Sequence, residues 1–309
     1  MNISVYITCF NKVKFIEKAI KSVLDQSLPA DEIIVVDDNS TDGSKELIKS
    51  IANNYPEKIV PIFNQSNLGI SKCRNIAMEK LKGQYVTFLD GDDYYLPHKL
   101  EKEYHILTNN SLLDAVYSNF IYISEDGNQT GVFSSESDNP ANGEILINTF
   151  KRKYNVSSGN NYIYEMMKVK SARKIGLYDT SFLIWEDWDF RIRFASKFHY
   201  GYNPQISSTY RRTNNSLSRS NPQIHYQYQW RIVEKNMPIL SELCKDDQLG
   251  IRYSLQKKLE NILRYGLKYY SEKRQFGKFI VCILKLLIKY GFKRNLSFII
   301  NKRYLGLTA

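Results

Sequence analysis

The stretch "YVTFLDGDDYYLP" (85–97) carries an apolar run directly into three carboxylates, Asp90, Asp92 and Asp93. An Asp-x-Asp turn presents hard oxygen donors to a divalent cation. Mg2+ or Mn2+ commonly takes only one or two protein carboxylates and fills its other positions with water and diphosphate oxygens. Gly91 permits the turn to be tight. The same acids would also serve as a solvated turn or a helix cap, so the cluster alone leaves both readings open. An EF-hand is the third reading, with Asp90, Asp92 and Glu101 at loop positions 1, 3 and 12. Tyr94 and Tyr95 stand where a ligand and the turn glycine belong, which argues against it.

A second acidic group, "WEDWDF" (185–190), sets Glu186, Asp187 and Asp189 around Trp185 and Trp188. A carboxylate here has the makings of a general base. Neighbouring acids and aromatic walls raise an Asp pKa, and the N-terminus of a helix starting here lowers it, so the sequence leaves the net direction open. Asp189 with Arg191 or Arg193 reads as a structural pair network. The histidines His98, His105, His199 and His225 lack metal-ligand spacing, and Cys9, Cys73, Cys244 and Cys282 form no CxxC pair.

The elements that must position these acids alternate in type. Strand-like "ISVYITCF" (3–10) precedes a helical stripe of Phe15, Ile16, Ala19, Ile20, Val23 and Leu24. "EIIVVDD" (32–38) is a continuous β-branched run, the pattern of a strand covered on both faces, and a helical segment follows it. "KIVPIF" and "YVTFL" repeat the unit, each with a helical segment after it. Four β-then-α units predict a parallel, doubly wound sheet whose ligands bind outside the carboxyl ends of the strands. Asp37, Asp38, Asp90 and Asp92 fall at those ends. From about 114 the pattern becomes α+β, with an exposed loop expected over 124–143. Residues 1–222 read as one domain and 223–309 as a helical, basic region.

At 309 residues, 43% of them hydrophobic, the chain can bury a large core, and low-complexity disorder does not describe it. A net charge of +11 fits an anionic partner, whether nucleic acid, a nucleoside diphosphate or acidic lipid. No stretch reaches the roughly 18 uncharged apolar residues of a spanning helix. The N-terminus reads as the first strand, and with unpaired cysteines this predicts a cytoplasmic location.

Five segments in order, "ISVYITCFN", "IIVVDDNSTDGS", "NLGISKCRN", "YVTFLDGDDYYLPHKL" and "GLYDTSFLIWEDWDFRIRFAS", resemble a family 2 glycosyltransferase with the glycosyltransferase A-type fold. The resemblance covers roughly residues 1–220. It implies a Rossmann-like α/β domain with a mostly parallel central sheet, and an inverting transfer from a UDP-sugar to a glycan hydroxyl. Thr8 and Phe10 would lie beside the base and ribose, and Asp38 would accept from a uracil N–H. Asp90 would meet the ribose hydroxyls and Asp92 a Mn2+ or Mg2+ ion; Arg74 would lie near the nucleotide, although an arginine on an amphipathic helix also reads as a solvated face. Asp187 would be the base, with Glu186 orienting it. Trp185 and Trp188 read either as a stacking wall for the acceptor sugar or as buried core aromatics. The segment "YRRTNNSLSRS" departs from the family, holding Thr213 where a His often stands, so ligands there are not assigned.

The segment "FGKFIVCILKLLIKYGFKRN" (276–295) sets lysines near one face and apolar residues largely opposite. It suits a peripheral contact with a membrane, and equally a helical hairpin packed on the catalytic domain or in an oligomer. The resemblance favours the membrane, with a lipid-linked acceptor at the cytoplasmic leaflet and a role in surface polysaccharide synthesis. Two other classes compete. A sugar-phosphate nucleotidyltransferase predicts a Gly-rich phosphate loop after the first strand, and "TCFNKVKF" has no glycine. A nucleic-acid-binding module would meet repulsion from the acid-lined crevice, so no nucleic acid is expected.

Overall fold

The computed structural model describes residues 2–158, 162–213, 222–243 and much of 261–284. The chain divides into two compact units, Met1–Asn214 and Asn215–Ala309.

The first unit opens with the four expected βα pairs: β1 (Ile3–Cys9), α1 (Ile16–Leu24), β2 (Glu32–Asp37), α2 (Ser44–Asn54), β3 (Ile59–Phe63), α3 (Ile70–Lys80), β4 (Tyr85–Asp90) and α4 (Lys99–Asn109). Every residue of β1 and β2 is buried, as strands covered on both faces require. Ile16, Ala19, Ile20 and Val23 of α1 are the stripe that packs inward. Each fully buried Val or Ile contributes roughly 1.5–3 kcal/mol.

Then follow β5 (Leu113–Ile123), β6 (Gln129–Val132), α5 (Leu146–Lys151), β7 (Glu165–Lys168), α6 (Val169–Lys174), α7 (Glu186–Ala195) and β8 (His199–Arg211). One sheet holds them in the order β3-β2-β1-β4-β7-β5-β6, with β8 paired to β5. β1 runs parallel to both β2 and β4, whereas β7 runs antiparallel to β4 and β5. The sheet is therefore mixed and mostly parallel.

The chain winds outward from β1 to β3, then returns to place β4 on the other side of β1. This reversal is a topological switch point, and it opens a crevice at the carboxyl ends of β1 and β4. The register sets Thr8 beside Asp90 across those ends. Gly91 follows, and a Cβ there would lie 2.9 Å from the Thr8 carbonyl oxygen, which forbids a side chain.

The loop expected over 124–143 is corrected. β6 pairs antiparallel with β5, and Phe133, Ser134 and Ala141 beyond it are buried. The polar Gln129–Val132 edge has no apolar alternation to announce a strand.

In the second unit, α8 (Pro222–Leu243) carries an internal Pro238. Ile262, Leu263, Leu267 and Tyr270 are buried, whereas Ile280, Val281 and Leu284 are exposed. Residues 285–295 of the amphipathic segment lie outside the described residues. Among the described residues no helix is long and apolar enough to cross a membrane.

Candidate active site

The loops after β1 and β2 are knitted together first. Asn11 and Asn39 adopt left-handed backbone, which asparagine tolerates better than most residues. Asn11 Oδ1 accepts from Thr41 N, and Asp42 Oδ2 accepts from Val13 N, both at 2.9 Å. Asp37 accepts from the Ser40 amide and hydroxyl. These polar residues build the rim, leaving Phe10 at its tip 45% exposed, a ring face open to a ligand.

Asp38, next to this rim, is buried. Its Oδ1 accepts from Asn64 Nδ2 and Leu68 N, and its Oδ2 from Gly69 N, each at 2.8 Å. It thus fixes the 64–69 loop that leads into α3, and a carboxylate retains acceptor capacity beyond three bonds.

Arg74, on α3, is buried, where the sequence allowed a solvated helix face. Its Nη2 lies 3.3 Å from Asp90 Oδ1 and its Nη1 3.2 Å from Glu186 Oε1. The guanidinium also sits 5.0 Å over the Phe88 ring. Asp90 accepts further bonds from Thr8 Oγ1 at 3.4 Å and from Tyr162 Oη at 3.0 Å. Burial, and next the charge of Asp90, push the Tyr162 phenol well above its ordinary pKa, so it remains a donor.

Asp92 is paired with Lys12, Nζ to Oδ2 at 2.5 Å. Burial lowers the Lys12 pKa and the charge of Asp92 more than offsets it, so the ammonium stays protonated. Among the described residues no cluster of three or more His, Cys, Asp or Glu forms a metal cage. The donor chemistry nevertheless fits a hard divalent ion through Asp92, because its side chain is 18% exposed and such ions need only one or two carboxylates. Asp90 is spent on Arg74 and Tyr162. Thr213 is buried and adds no ligand chemistry of the missing His type.

Across the crevice, Trp185 takes φ 69 as the residue before α7, a left-handed conformation that costs a non-glycine residue about 1–2 kcal/mol. Glu186 and Asp187 therefore open the first turn of α7, where the helix dipole favours negative charge. Burial pushes the Glu186 pKa up to about 7, with Arg74 opposing and Asp187 adding to the rise. Burial raises Asp187 too, but Arg191, Arg74 and Arg152 outweigh it and leave its pKa lowered. The two acids differ: Asp187 stays ionised while Glu186 titrates near neutrality.

Arg191 Nη1 meets Asp187 Oδ2 at 2.5 Å, and its Nε meets Glu165 Oε1 at 2.8 Å. The structural network foreseen for α7 is thus split: Asp189 pairs with Arg193 at 2.9 Å, while Arg191 holds Asp187. Asp187 Oδ1 takes none of these bonds. The Arg191 guanidinium lies 4.9 Å over the Tyr162 ring, so contacts run unbroken from Asp90 through Tyr162 and Arg191 to Asp187.

Trp188 is corrected as an acceptor wall. It is buried, its Nε1 donates to the Thr149 carbonyl at 2.8 Å, and Phe150 packs at 6.2 Å. Trp185 is half-buried, with Arg152 3.9 Å over its ring. Lys12, Tyr162, Arg152 and Arg191 were not assigned to the site from sequence. Only Arg191, four residues after Asp187 on a helix, had a legible signal.

Fold and crevice together define a glycosyltransferase A-type domain. Residues 4–160 match the family model for glycosyl transferase family 2. An uncharacterized glycosyltransferase of Methanocaldococcus jannaschii is 30% identical over 230 residues, 73% of this chain and 77% of the relative. The chain belongs to glycosyl transferase family 2. It is also 35% identical over 133 residues to the Escherichia coli UDP-Glc:alpha-D-GlcNAc-diphosphoundecaprenol beta-1,3-glucosyltransferase WfaP, covering 43% of this chain and 51% of that one. The chain spans about half the length of several such curated relatives. In fold it is similar to Staphylococcus aureus TarS 1-349 in complex with UDP-GlcNAc, with TM-score 0.62, 14% identity, and coverage of 95% of this chain and 93% of that one.

Proposed function

We propose that the protein is an inverting glycosyltransferase that moves a hexose or N-acetylhexosamine from a UDP-sugar to a glycan hydroxyl. The observation that carries this is the unbroken contact path from Asp90 through Tyr162 and Arg191 to Asp187. Phe10, Thr8 and Asp38 serve the base and ribose, with Asp90 beside them. Asp187 Oδ1 takes the proton of the attacking hydroxyl while that oxygen bonds to the anomeric carbon. The bond from that carbon to the diphosphate breaks, its electron pair leaves with UDP, and the configuration inverts. Arg191 fixes the orientation of Asp187.

A Mn2+ or Mg2+ ion, held by Asp92, would supply charge stabilisation to the leaving diphosphate. Lys12 holds a second positive charge at the same place. The name of WfaP supports a lipid-linked acceptor in surface polysaccharide assembly. The exposed Ile280, Val281 and Leu284 support peripheral contact with the inner face of the membrane.

A panel of UDP-, GDP- and dTDP-sugars, read by thermal shift and by Mn2+-dependent hydrolysis, tests the reading. Stabilisation and hydrolysis confined to UDP-sugars are expected. Indifference to every nucleotide sugar would overturn it.

A further inference from the structure

On the Asp187 side of the crevice, Arg152 is a cation with no ion pair among the described residues. Arg152 follows α5 with φ 55 and lies 3.9 Å over the Trp185 ring and 5.9 Å from that of Trp188. Among the described residues its side chain makes no ion pair and no hydrogen bond, although the charge of Asp187 acts on it. Its neighbours are committed. Arg74 binds Asp90 and Glu186, Arg191 binds Asp187 and Glu165, and Arg193 binds Asp189 and the carbonyls of Ile175 and Leu177.

Burial pulls the Arg152 pKa down to about 10, with Asp187 opposing, so the group is still charged at neutral pH. Arg152 is only partly buried, so the donors it leaves unspent on the protein stay within reach of a ligand. Stacking on the Trp185 indole holds the fork flat. Its left-handed backbone closes α5, the Arg152 amide returning to the Asn148 and Thr149 carbonyls.

We propose that Arg152, backed by Trp185, is the receptor for an anionic substituent, a carboxylate or a phosphate ester, on the acceptor sugar. The planar fork takes either group through two parallel hydrogen bonds. This rests on Asp187 being the base: a group beside the base faces the incoming alcohol, whereas Lys12 and Asp92 face the departing diphosphate. The acceptor class is therefore acidic glycans, such as those carrying uronate or sugar phosphate.

The test uses the full chain with methyl β-D-glucuronide, glucose 6-phosphate and neutral methyl β-D-glucoside. Binding is followed by tryptophan fluorescence and saturation-transfer NMR, with and without saturating UDP. At least one anionic probe is expected to bind roughly tenfold or more tightly than the neutral one, with UDP present, and to lose that advantage in Arg152→Gln. Arg152→Lys keeps the charge without the fork and is expected to fall between. Which anionic probe binds identifies carboxylate or phosphate as the group. Thermal melts confirm that each variant is folded. Equal binding of all three probes, an advantage that survives in folded Arg152→Gln, or displacement of the anion by UDP would overturn the proposal. Failure of UDP itself to bind would sink the nucleotide-sugar reading separately, since glycoside binding is measured without nucleotide as well.

Discussion

Arg74 Nη1 lies 3.2 Å from Glu186 Oε1 while Nη2 lies 3.3 Å from Asp90 Oδ1, so one buried guanidinium fastens the end of β4 to the helix that carries Asp187. Removing it takes the counter-charge from Glu186, which is buried, and from Asp90, which is partly exposed. Arg74→Met is expected to lower unfolding free energy by about 3–5 kcal/mol, because breaking a buried pair leaves uncompensated charge. Urea denaturation checks this, and a loss below about 1 kcal/mol would mean that the ion pair is a minor support.

Asp187→Asn keeps the shape of the side chain and removes its ability to take a proton. Transfer is expected to fall by about 10²–10⁴-fold, the usual share of a general base, while UDP affinity by calorimetry stays near wild type. Survival of transfer would place the base elsewhere.

Glu186 gives a pH signature. Its folded pKa of about 7 exceeds the ordinary 4.5, so the folded protein binds more protons than the unfolded chain between those values. Stability from this group therefore declines as pH rises through that window. Glu186→Gln removes the titration, and the melting temperature of the variant minus that of wild type should grow from about pH 5 to about pH 8. The lowered pKa of Asp187 acts in acid, below this window, and does not change the sign. A flat difference across the range would show that Glu186 is ionised throughout.

Lys12 and a divalent ion share one carboxylate oxygen pair on Asp92. Lys12→Met should strengthen Mn2+ binding to the nucleotide-free protein by roughly tenfold, since a competing charge at 2.5 Å is gone. Mn2+ electron paramagnetic resonance reads the free ion directly. Unchanged affinity would remove Asp92 from the ligand set.

The four βα pairs were legible because parallel strands covered on both faces read as unbroken apolar runs, and the acids at their ends stood out against them. The resemblance named Asp38, Asp90, Asp92, Asp187 and Arg74 from local motifs, and the fold brings Asp90, Arg74, Glu186 and Asp187 into one contact path. What stayed hidden depended on distant partners. Arg74 looks like any arginine on an amphipathic helix until Glu186 arrives from a later part of the chain. Lys12 and Tyr162 gain meaning only through Asp92 and Asp90. Trp188 and Trp185 are near neighbours in sequence, yet the Thr149 carbonyl draws one into the core and Arg152 covers the other.

The Arg74 clamp also governs recombination. Arg74 belongs to the stretch matched by the family model, which ends at residue 160, and Glu186 lies past it. A graft that exchanges the later part between relatives, to redirect which sugar is built upon, must bring an acid to the helix start that meets this guanidinium. Without it, the seam leaves a stranded cation under the crevice floor, and the hybrid inherits a donor pocket with nothing anchored opposite.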